Sequence, residues 1–336
     1  MTRVLLVRLS AMGDVVQALG AVRSLHAARP ELELFFVTQR ENAPLLQGLP
    51  GIAGVVAHDR RGGVAAWRRT RAAVRALRCD VALDLQGNWK SSACAWLAGC
   101  GRRIGVAGPS RQEPWSRLLL TDAVDAGGER HPARVALSIV QALAPNATWQ
   151  PPQLVATEVE IRTAERMVRE AGIEASLPFA VVLLGRPDDP RSLRPVAVRA
   201  AVGRGRPVLL VVGPQERDLE VPFALPVLRQ HPGELRALVG LGALVARLGG
   251  EVLGADQGPT HVLAATGAST SVLFGPQDPA FTAPPSAKVL QHGSPPTCMP
   301  CRSARCSHPD GPLCMEFAVD TGRAAAPLDW QRGPNA

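Results

Sequence analysis

GADQGPTHVLAATGASTSVLFGPQDP, residues 254–279, lays a polar turn directly onto the start of a short apolar helix and follows that helix with a second strand. A strand over Glu251–Ala255 ends at Asp256. Gly258 then allows close backbone approach, and Pro259 suits the first helical turn, where its missing N–H costs nothing. The spacing predicts free N–H groups on Thr260, His261 and Val262, pointing out along the positive end of the helix dipole, where a phosphate is favoured. Ser269–Phe274 reads as the next strand and stops at Gly275-Pro276. On local pattern alone the stretch is equally a plain capped helix between two strands, with His261 an ordinary first-turn residue.

The same strand–helix alternation continues in both directions. Upstream, Phe179–Leu184 and Pro207–Val212 read as strands with helices in the gaps, and Glu158–Ala171 has the spacing of an amphipathic helix. Further back, Arg3–Arg8 reads as a buried parallel strand, and Leu9-Ser10-Ala11-Met12-Gly13 turns into a helix over Asp14–Ala28 that ends at Pro30. Leu32–Val37, Val55–Ala57 and Val81–Leu85 follow as strands. The pattern predicts an α/β protein of two Rossmann-like, doubly wound parallel-sheet domains facing a cleft. The polar, proline-rich stretch near Pro145–Pro152 separates them, giving domains at 1–157 and 158–336. Ligands in such sheets gather beyond the carboxyl ends of strands, where Asp14, Gly185, Gly213 and Asp256 all fall. The tail after Asp320 is rich in Ala, Pro and Gly and is expected to be partly disordered.

Composition narrows the function class. At 336 residues the chain accommodates two domains, each with its own core. No apolar run reaches the 18 or so residues a membrane span needs, and the Val4–Val7 run is broken by Arg8 before it could serve as a signal-peptide core. A cytoplasmic protein is expected. The formal charge is +8, and all of the excess lies in residues 1–150, which hold 19 basic and 11 acidic side chains. That asymmetry points the first domain at an anionic partner. Charge without interleaved aromatic platforms argues against nucleic acid, and Ser-Ala-Met-Gly-Asp after the first strand is not the Gly-x-Gly-x-x-Gly turn of a nicotinamide dehydrogenase.

Cys298, Cys301, Cys306 and Cys314 gather four of the seven cysteines in one short segment, a spacing that in a cytosolic chain favours a tetrahedral metal, zinc or iron, over disulfides. Cys79, Cys94 and Cys100 read as core or helix cysteines.

The order Asp-x-Gly-x-x-His, small apolar helix, strand, Phe-Gly-Pro over residues 256–276 resembles the donor-binding signature of the ADP-heptose:lipopolysaccharide heptosyltransferases, inverting glycosyltransferases of GT-B fold. Ser10-Ala11-Met12-Gly13-Asp14-Val15 matches that family's Ser-x-x-Gly-Asp-Val motif, whose aspartate is taken as the general base; from the residues alone Asp14 is a first-turn acid favoured by the dipole. Asp84-Leu85-Gln86-Gly87 followed by Lys90 and Ser91 is similar to the family's Asp-Leu-Gln-Gly loop. The resemblance implies Asp14 as catalytic base. It also implies Arg191, Glu216, Asp256, Gln257, Gly258, Thr260 and His261 at the donor, and Ser10, Gly13, Arg60, Arg61 and Lys90 at an anionic inner-core acceptor bearing Kdo acids and phosphates. Glu216 in Gly213-Pro-Gln-Glu would bind the nucleoside ribose, and a leaving ADP would be stabilised without a catalytic metal. The family's Lys-x-Trp-Pro segment is absent; the chain reads Gly185-Arg186-Pro187-Asp188-Asp189-Pro190-Arg191-Ser192-Leu193-Arg194-Pro195, where Arg191 or Arg194 would supply the charge. A structural metal at the C-terminal cysteines is likewise implied by relatives that hold iron there. Peripheral contact with the inner face of the membrane follows from such an acceptor. The competing expectations are a GT-B nucleotide- or glycan-binding protein with lost or altered activity, and a protein O-heptosyltransferase.

Overall fold

The computed structural model describes residues 2–218, 220–231, 233–318 and 320–324. They form two compact units divided between Gln153 and Leu154.

In the first unit β1 (Arg3–Val7), α1 (Met12–Ala28), β2 (Glu33–Gln39), α2 (Ala43–Leu46), β3 (Ile52–His58), α3 (Gly63–Ala76), β4 (Val81–Asp84), α4 (Trp89–Leu97), β5 (Arg102–Val106), β6 (Asp122–Val124) and α5 (Pro132–Gln141) follow in turn. The strands form one parallel sheet in the order β3-β2-β1-β4-β5-β6. Centrally placed β1 is why Val4, Leu5, Leu6 and Val7 form an unbroken apolar run: both faces are covered and all four side chains are fully buried. Val7 lies opposite Val37 of β2 and Asp84 of β4, so the loops leaving β1 and β4 start at the same level.

In the second unit α6 (Glu158–Glu170), β7 (Ala180–Leu184), α7 (Pro195–Val202), β8 (Val208–Val212), β9 (Val227–Arg229), α8 (Leu235–Leu248), β10 (Glu251–Ala255), α9 (Gly258–Ala264), β11 (Ser269–Phe274), α10 (Pro279–Thr282), β12 (Lys288–Gln291) and β13 (Arg323–Ala324) form a seven-stranded sheet ordered β13-β12-β11-β10-β7-β8-β9. Its first six strands repeat the order of the first unit, and β13 pairs antiparallel with β12. α6 packs on α8 so closely that a Cβ at Gly240 would stand 2.4 Å from the Glu160 carbonyl oxygen.

Each sheet reverses its strand order once, between β1 and β4 and between β7 and β10. In open α/β sheets ligands bind beyond the strand ends at such a reversal. Asp14, Gly185, Gly213 and Asp256 do lie just past the carboxyl ends of β1, β7, β8 and β10.

The sequence places the domain boundary at 157/158, whereas the units divide at 153/154. Residues 154–157 are already tied to the second unit: the Leu154 N–H donates to Ala265 O, and Arg236 donates to Val155 O. The alanine- and proline-rich tail beyond Ala324 lies outside the described residues. Among the described residues no helix is long and apolar enough to cross a membrane.

Candidate functional site

At the reversal of the first sheet, the chain leaving β1 is held by the chain leaving β4. Gln86 Oε1 accepts from the N–H groups of Leu9 (2.8 Å) and Ser10 (3.3 Å), and Gln86 Nε2 lies 3.4 Å from Ser10 Oγ. Gln86 is itself fixed by Asp84, which is fully buried. One oxygen of that carboxylate accepts from the N–H groups of Gln86 and Gly87, and the other accepts from Ser92 Oγ at 2.6 Å and Arg111 Nη2 at 3.3 Å. Burial lowers the Arg111 guanidinium below the usual arginine value, against the pull of Asp84. The DLQG signature in this chain is thus a scaffold for the β1 turn.

Arg8 is buried at the end of β1. Its Nη1 donates to Leu85 O at 2.6 Å and its Nη2 pairs with Asp14 Oδ2 at 2.6 Å. Asp14 also accepts from the Ala11 N–H at 3.2 Å, the acid of the third helical position reaching back to the start of α1. Its side chain stays 27% exposed. A carboxylate aimed by two partners and open on one side has the form a general base needs. Arg8, its partner, also lines a cavity of about 340 Å³, together with Gln86, Ser110, Arg111, Gln112 and Arg130 among others. Arg8 Nε and Ser110 Oγ are buried without a hydrogen-bond partner among the described residues.

At the reversal of the second sheet, Asp256 is 8% exposed and its two oxygens serve different side chains. Oδ1 lies 3.4 Å from His261 Nε2, and Oδ2 accepts from Thr282 Oγ1 at 3.0 Å. A carboxylate on one ring nitrogen fixes the orientation of the imidazole. Arg191 forms a two-pronged ion pair with Asp189, at 2.7 and 3.0 Å, and extends Nη1 to Asp256 O at 3.5 Å. The Asp189 interaction raises the Arg191 pKa. Burial pushes the Asp189 carboxyl up, but hydrogen bonds from the Arg191 side chain and backbone outweigh it and hold that carboxyl below the usual range. Gln257 Nε2 lies 3.4 Å from Ser192 Oγ, a contact that requires glycine at 185, where a Cβ would stand 2.2 Å from Gln257 Nε2 and 2.3 Å from Ser192 Oγ. Arg191, Asp256 and His261 are therefore brought together, with Gln257 beside Ser192. Glu216 sits apart in the turn after β8, its N–H donating to Gly213 O.

One expectation needs correction. The N–H groups of Thr260 and His261 are not free, because the turn into α9 is tight enough for Gln257 O to accept from both, at 3.0 and 3.5 Å. The Thr260 hydroxyl is committed to Ala255 O at 2.7 Å.

Residues 197–310 match a family model described as glycosyltransferase family 9 (heptosyltransferase). Lipopolysaccharide heptosyltransferase 1 of Pseudomonas aeruginosa is 28% identical over 334 aligned positions, covering 91% of this chain and 88% of the relative. Among solved structures, a family 9 glycosyl transferase from Veillonella parvula has a TM-score of 0.73 at 18% identity, covering 86% of this chain and 85% of that one. The E. coli heptosyltransferase WaaC with ADP-2-deoxy-2-fluoro heptose has a TM-score of 0.63 at 21% identity, covering 87% and 93%. The structural likenesses show the shared fold.

Not every residue singled out in the sequence joins the two reversals. Arg60 and Arg61 are exposed after β3, beside Asp59, which pairs with Arg40 at 3.7 Å. Lys90 is exposed in the first turn of α4, and none of the three lines the cavity. Lys90 is nonetheless near His58: burial is the main cause lowering that imidazole's pKa, and Lys90 adds to it. Gly13 is buried in the first turn of α1. The sequence reading passes over Arg8, Ser110, Gln112 and Arg130. Only Arg8 carries a signal, a charge ending an otherwise apolar strand.

Cys298, Cys301, Cys306, Cys314 and His308 line one small cavity of about 20 Å³. Cys314 is buried and its thiol is pushed up to about 11, by burial first and then by the neighbouring Cys301, Cys298 and Cys306. The four sulfurs are gathered, yet among the described residues no three His, Cys, Asp or Glu side chains stand at metal-binding geometry. Cys79, Cys94 and Cys100 are buried core residues, with thiols raised by burial to about 12, 12 and 11.

Proposed function

We propose that this protein is an inverting glycosyltransferase that moves a heptose, or a closely related sugar, from an ADP-activated donor to a hydroxyl of an anionic, lipopolysaccharide-core-type acceptor. The observation that carries the reading is Asp14, aimed by Arg8 and the Ala11 N–H and partly open to solvent at the first sheet's reversal. In the reaction the acceptor oxygen attacks the anomeric carbon on the face opposite the diphosphate. The carbon–oxygen bond to the diphosphate breaks, ADP leaves with the electron pair, and the acceptor proton passes to Asp14. The first unit supplies the base and the acceptor pocket, with Ser10 and Gly13 shaping the turn and Arg60, Arg61 and Lys90 drawing in acidic groups. The second unit holds the donor: Arg191 takes the family lysine's place at the diphosphate, Asp256 and His261 orient the sugar and phosphates, and Glu216 takes the ribose. Because two of the expected α9 N–H groups are engaged, the diphosphate relies on Arg191, the Gly258 N–H and Gln257. The ADP-2-deoxy-2-fluoro heptose held by the E. coli neighbour supports this donor class. The acceptor places the enzyme in the cytoplasm, at the membrane face where that lipid is built.

The cysteine segment, whose four thiols line one cavity with His308, would hold a structural zinc or iron through Cys298, Cys301, Cys306 and Cys314. Metal analysis of purified protein before and after Cys301→Ser tests this: one metal per chain in the parent and none in the variant is expected, and a metal-free, fully stable parent overturns it.

Calorimetric titration with ADP-heptose, against ADP, UDP and GDP sugars as competitors, tests the donor. Saturable binding of ADP-heptose, weakened by His261→Ala and retained by Asp14→Ala, is expected, with product formed by the parent and not by Asp14→Ala. A preference for another nucleotide, or an active Asp14→Ala variant, overturns the reading.

A further inference from the structure

The large apolar side chains that the first unit leaves in solvent are concentrated on two adjacent pieces of chain. On α4, Trp89 is 49% and Trp96 54% exposed; on the 3-10 segment Pro114–Leu119, Trp115 is 79% and Leu118 74% exposed. Trp89 and Trp96 are seven residues apart and so share one stripe of α4, while Ser91, Ser92, Cys94 and Ala95 face inward. The two pieces pack on each other and are pinned together: the Trp89 N–H donates to Glu113 Oε2 at 2.6 Å, and the buried Arg111 joins Ser92 of α4 to Ser116 of the 3-10 segment. Three of the chain's six tryptophans are thus displayed on a rigid platform. Among the described residues no neighbour buries them.

We infer that this platform is a membrane-docking face, which seats the first unit on an anionic lipid surface with Trp89, Trp96, Trp115 and Leu118 entering the interfacial layer. Tryptophan favours the membrane–water interface, where its ring is apolar and its N–H finds water. The charge is of the matching sign: Lys90 and Arg117 are exposed within the same two elements, and the whole positive excess of the chain lies in its first 150 residues. Position agrees as well. Gln86, three residues before Trp89, and Ser110, Arg111 and Gln112, just before Pro114, line the 340 Å³ cavity, so that cavity and the exposed rings are built on the same two segments. A lipid whose acidic sugar enters the cavity would keep its acyl chains in the bilayer the rings touch. This last step rests on the acceptor being a glycolipid; the docking face itself rests on exposure, charge and packing.

The test is co-sedimentation of the full chain with vesicles of phosphatidylcholine alone and of phosphatidylcholine mixed with phosphatidylglycerol, with no sugar donor or acceptor present. The parent should bind the anionic vesicles, with a blue shift of tryptophan emission, and bind the neutral ones at least about fivefold more weakly. A Trp96→Ser/Trp115→Ser/Leu118→Ser variant should lose at least about tenfold in binding, and Arg117→Glu, which keeps every apolar side chain, should lose several-fold. Thermal unfolding and ADP-heptose binding should match the parent in both. Failure of the parent to bind anionic vesicles, or undiminished binding by the triple variant, overturns the inference. So does self-association of the parent that the triple variant abolishes in the absence of vesicle binding, since the face would then belong to a second copy. Vesicle binding by a protein that takes up no ADP-heptose would instead overturn the donor reading and leave the docking face standing.

Discussion

At the end of β1 a buried arginine touches a carboxylate that is open to solvent on one side, and removing either partner has a different consequence. Asp14 without Arg8 is still part of α1 and can take up water through its exposed edge, so the fold survives. What is lost is direction, together with the hydrogen bond that satisfies Leu85 O. Arg8→Met keeps an apolar stem of similar length in the buried slot and removes both contacts. Misplacement of a catalytic group by a fraction of an ångström to an ångström costs up to about a hundredfold in rate. The expected result is a kcat lowered roughly 10–100-fold with the ADP-heptose affinity unchanged, read by steady-state kinetics beside calorimetry. An unaltered kcat would show that Arg8 is packing alone.

The elements are joined by similar clamps, and one of them is accessible through pH. At the start of α6, Glu160 accepts from the Thr157 N–H and from Arg236 of α8 through Nε and Nη2, both at 2.6 Å. Burial pushes the Glu160 carboxyl up, but hydrogen bonds from Arg236 and Thr157 outweigh it and hold it below its ordinary 4.5. A carboxyl lowered by folding contributes stability that is present above its unfolded pKa and lost as pH falls through the folded one. Glu160→Gln keeps the cap geometry and removes the charge. It should destabilise the protein by about 1–2 kcal/mol at pH 7, and the difference from the parent should shrink as the pH falls below the ordinary 4.5. Denaturant unfolding above and below that value checks it. A difference independent of pH would assign the effect to packing between α6 and α8.

What the sequence makes legible follows the same physics. Central strands carry continuous apolar runs, so β1, β2, β4, β7, β8, β10 and β11 are readable to within two residues. β5 opens on Arg102 and Arg103, which bond to Asp122 and to Leu119 O, and the short outer strands β6, β9, β12 and β13 are too brief for a period. Asp14, Asp256 and His261 are singled out by the motifs through which the chain resembles the heptosyltransferases. Ser110, Gln112 and Arg130 reach the cavity through chain reversals that no spacing encodes.

For the molecule as a whole, two sheets of the same strand order carry cores of their own: Leu5, Val7, Leu9, Val37 and Val74 pack in the first unit, and Val182, Leu210, Leu253 and Leu273 in the second. A chain built in this way should unfold in two calorimetric transitions, and each should answer to its own perturbation. ADP at about a hundred times its Kd adds about 2.7 kcal/mol to the unit that binds it, which for a unit of this size raises one transition by roughly 5–10 °C and leaves the other in place. Asp84→Ala acts on the opposite unit, because it strands the Arg111 guanidinium, 1% exposed at its side chain, without its carboxylate. Removing one member of a buried pair costs about 3–5 kcal/mol, so the ADP-insensitive transition should fall by roughly 10 °C or more while the nucleotide-dependent one stays where it was. A single transition that moves in full with either change would mean that the units unfold as one body.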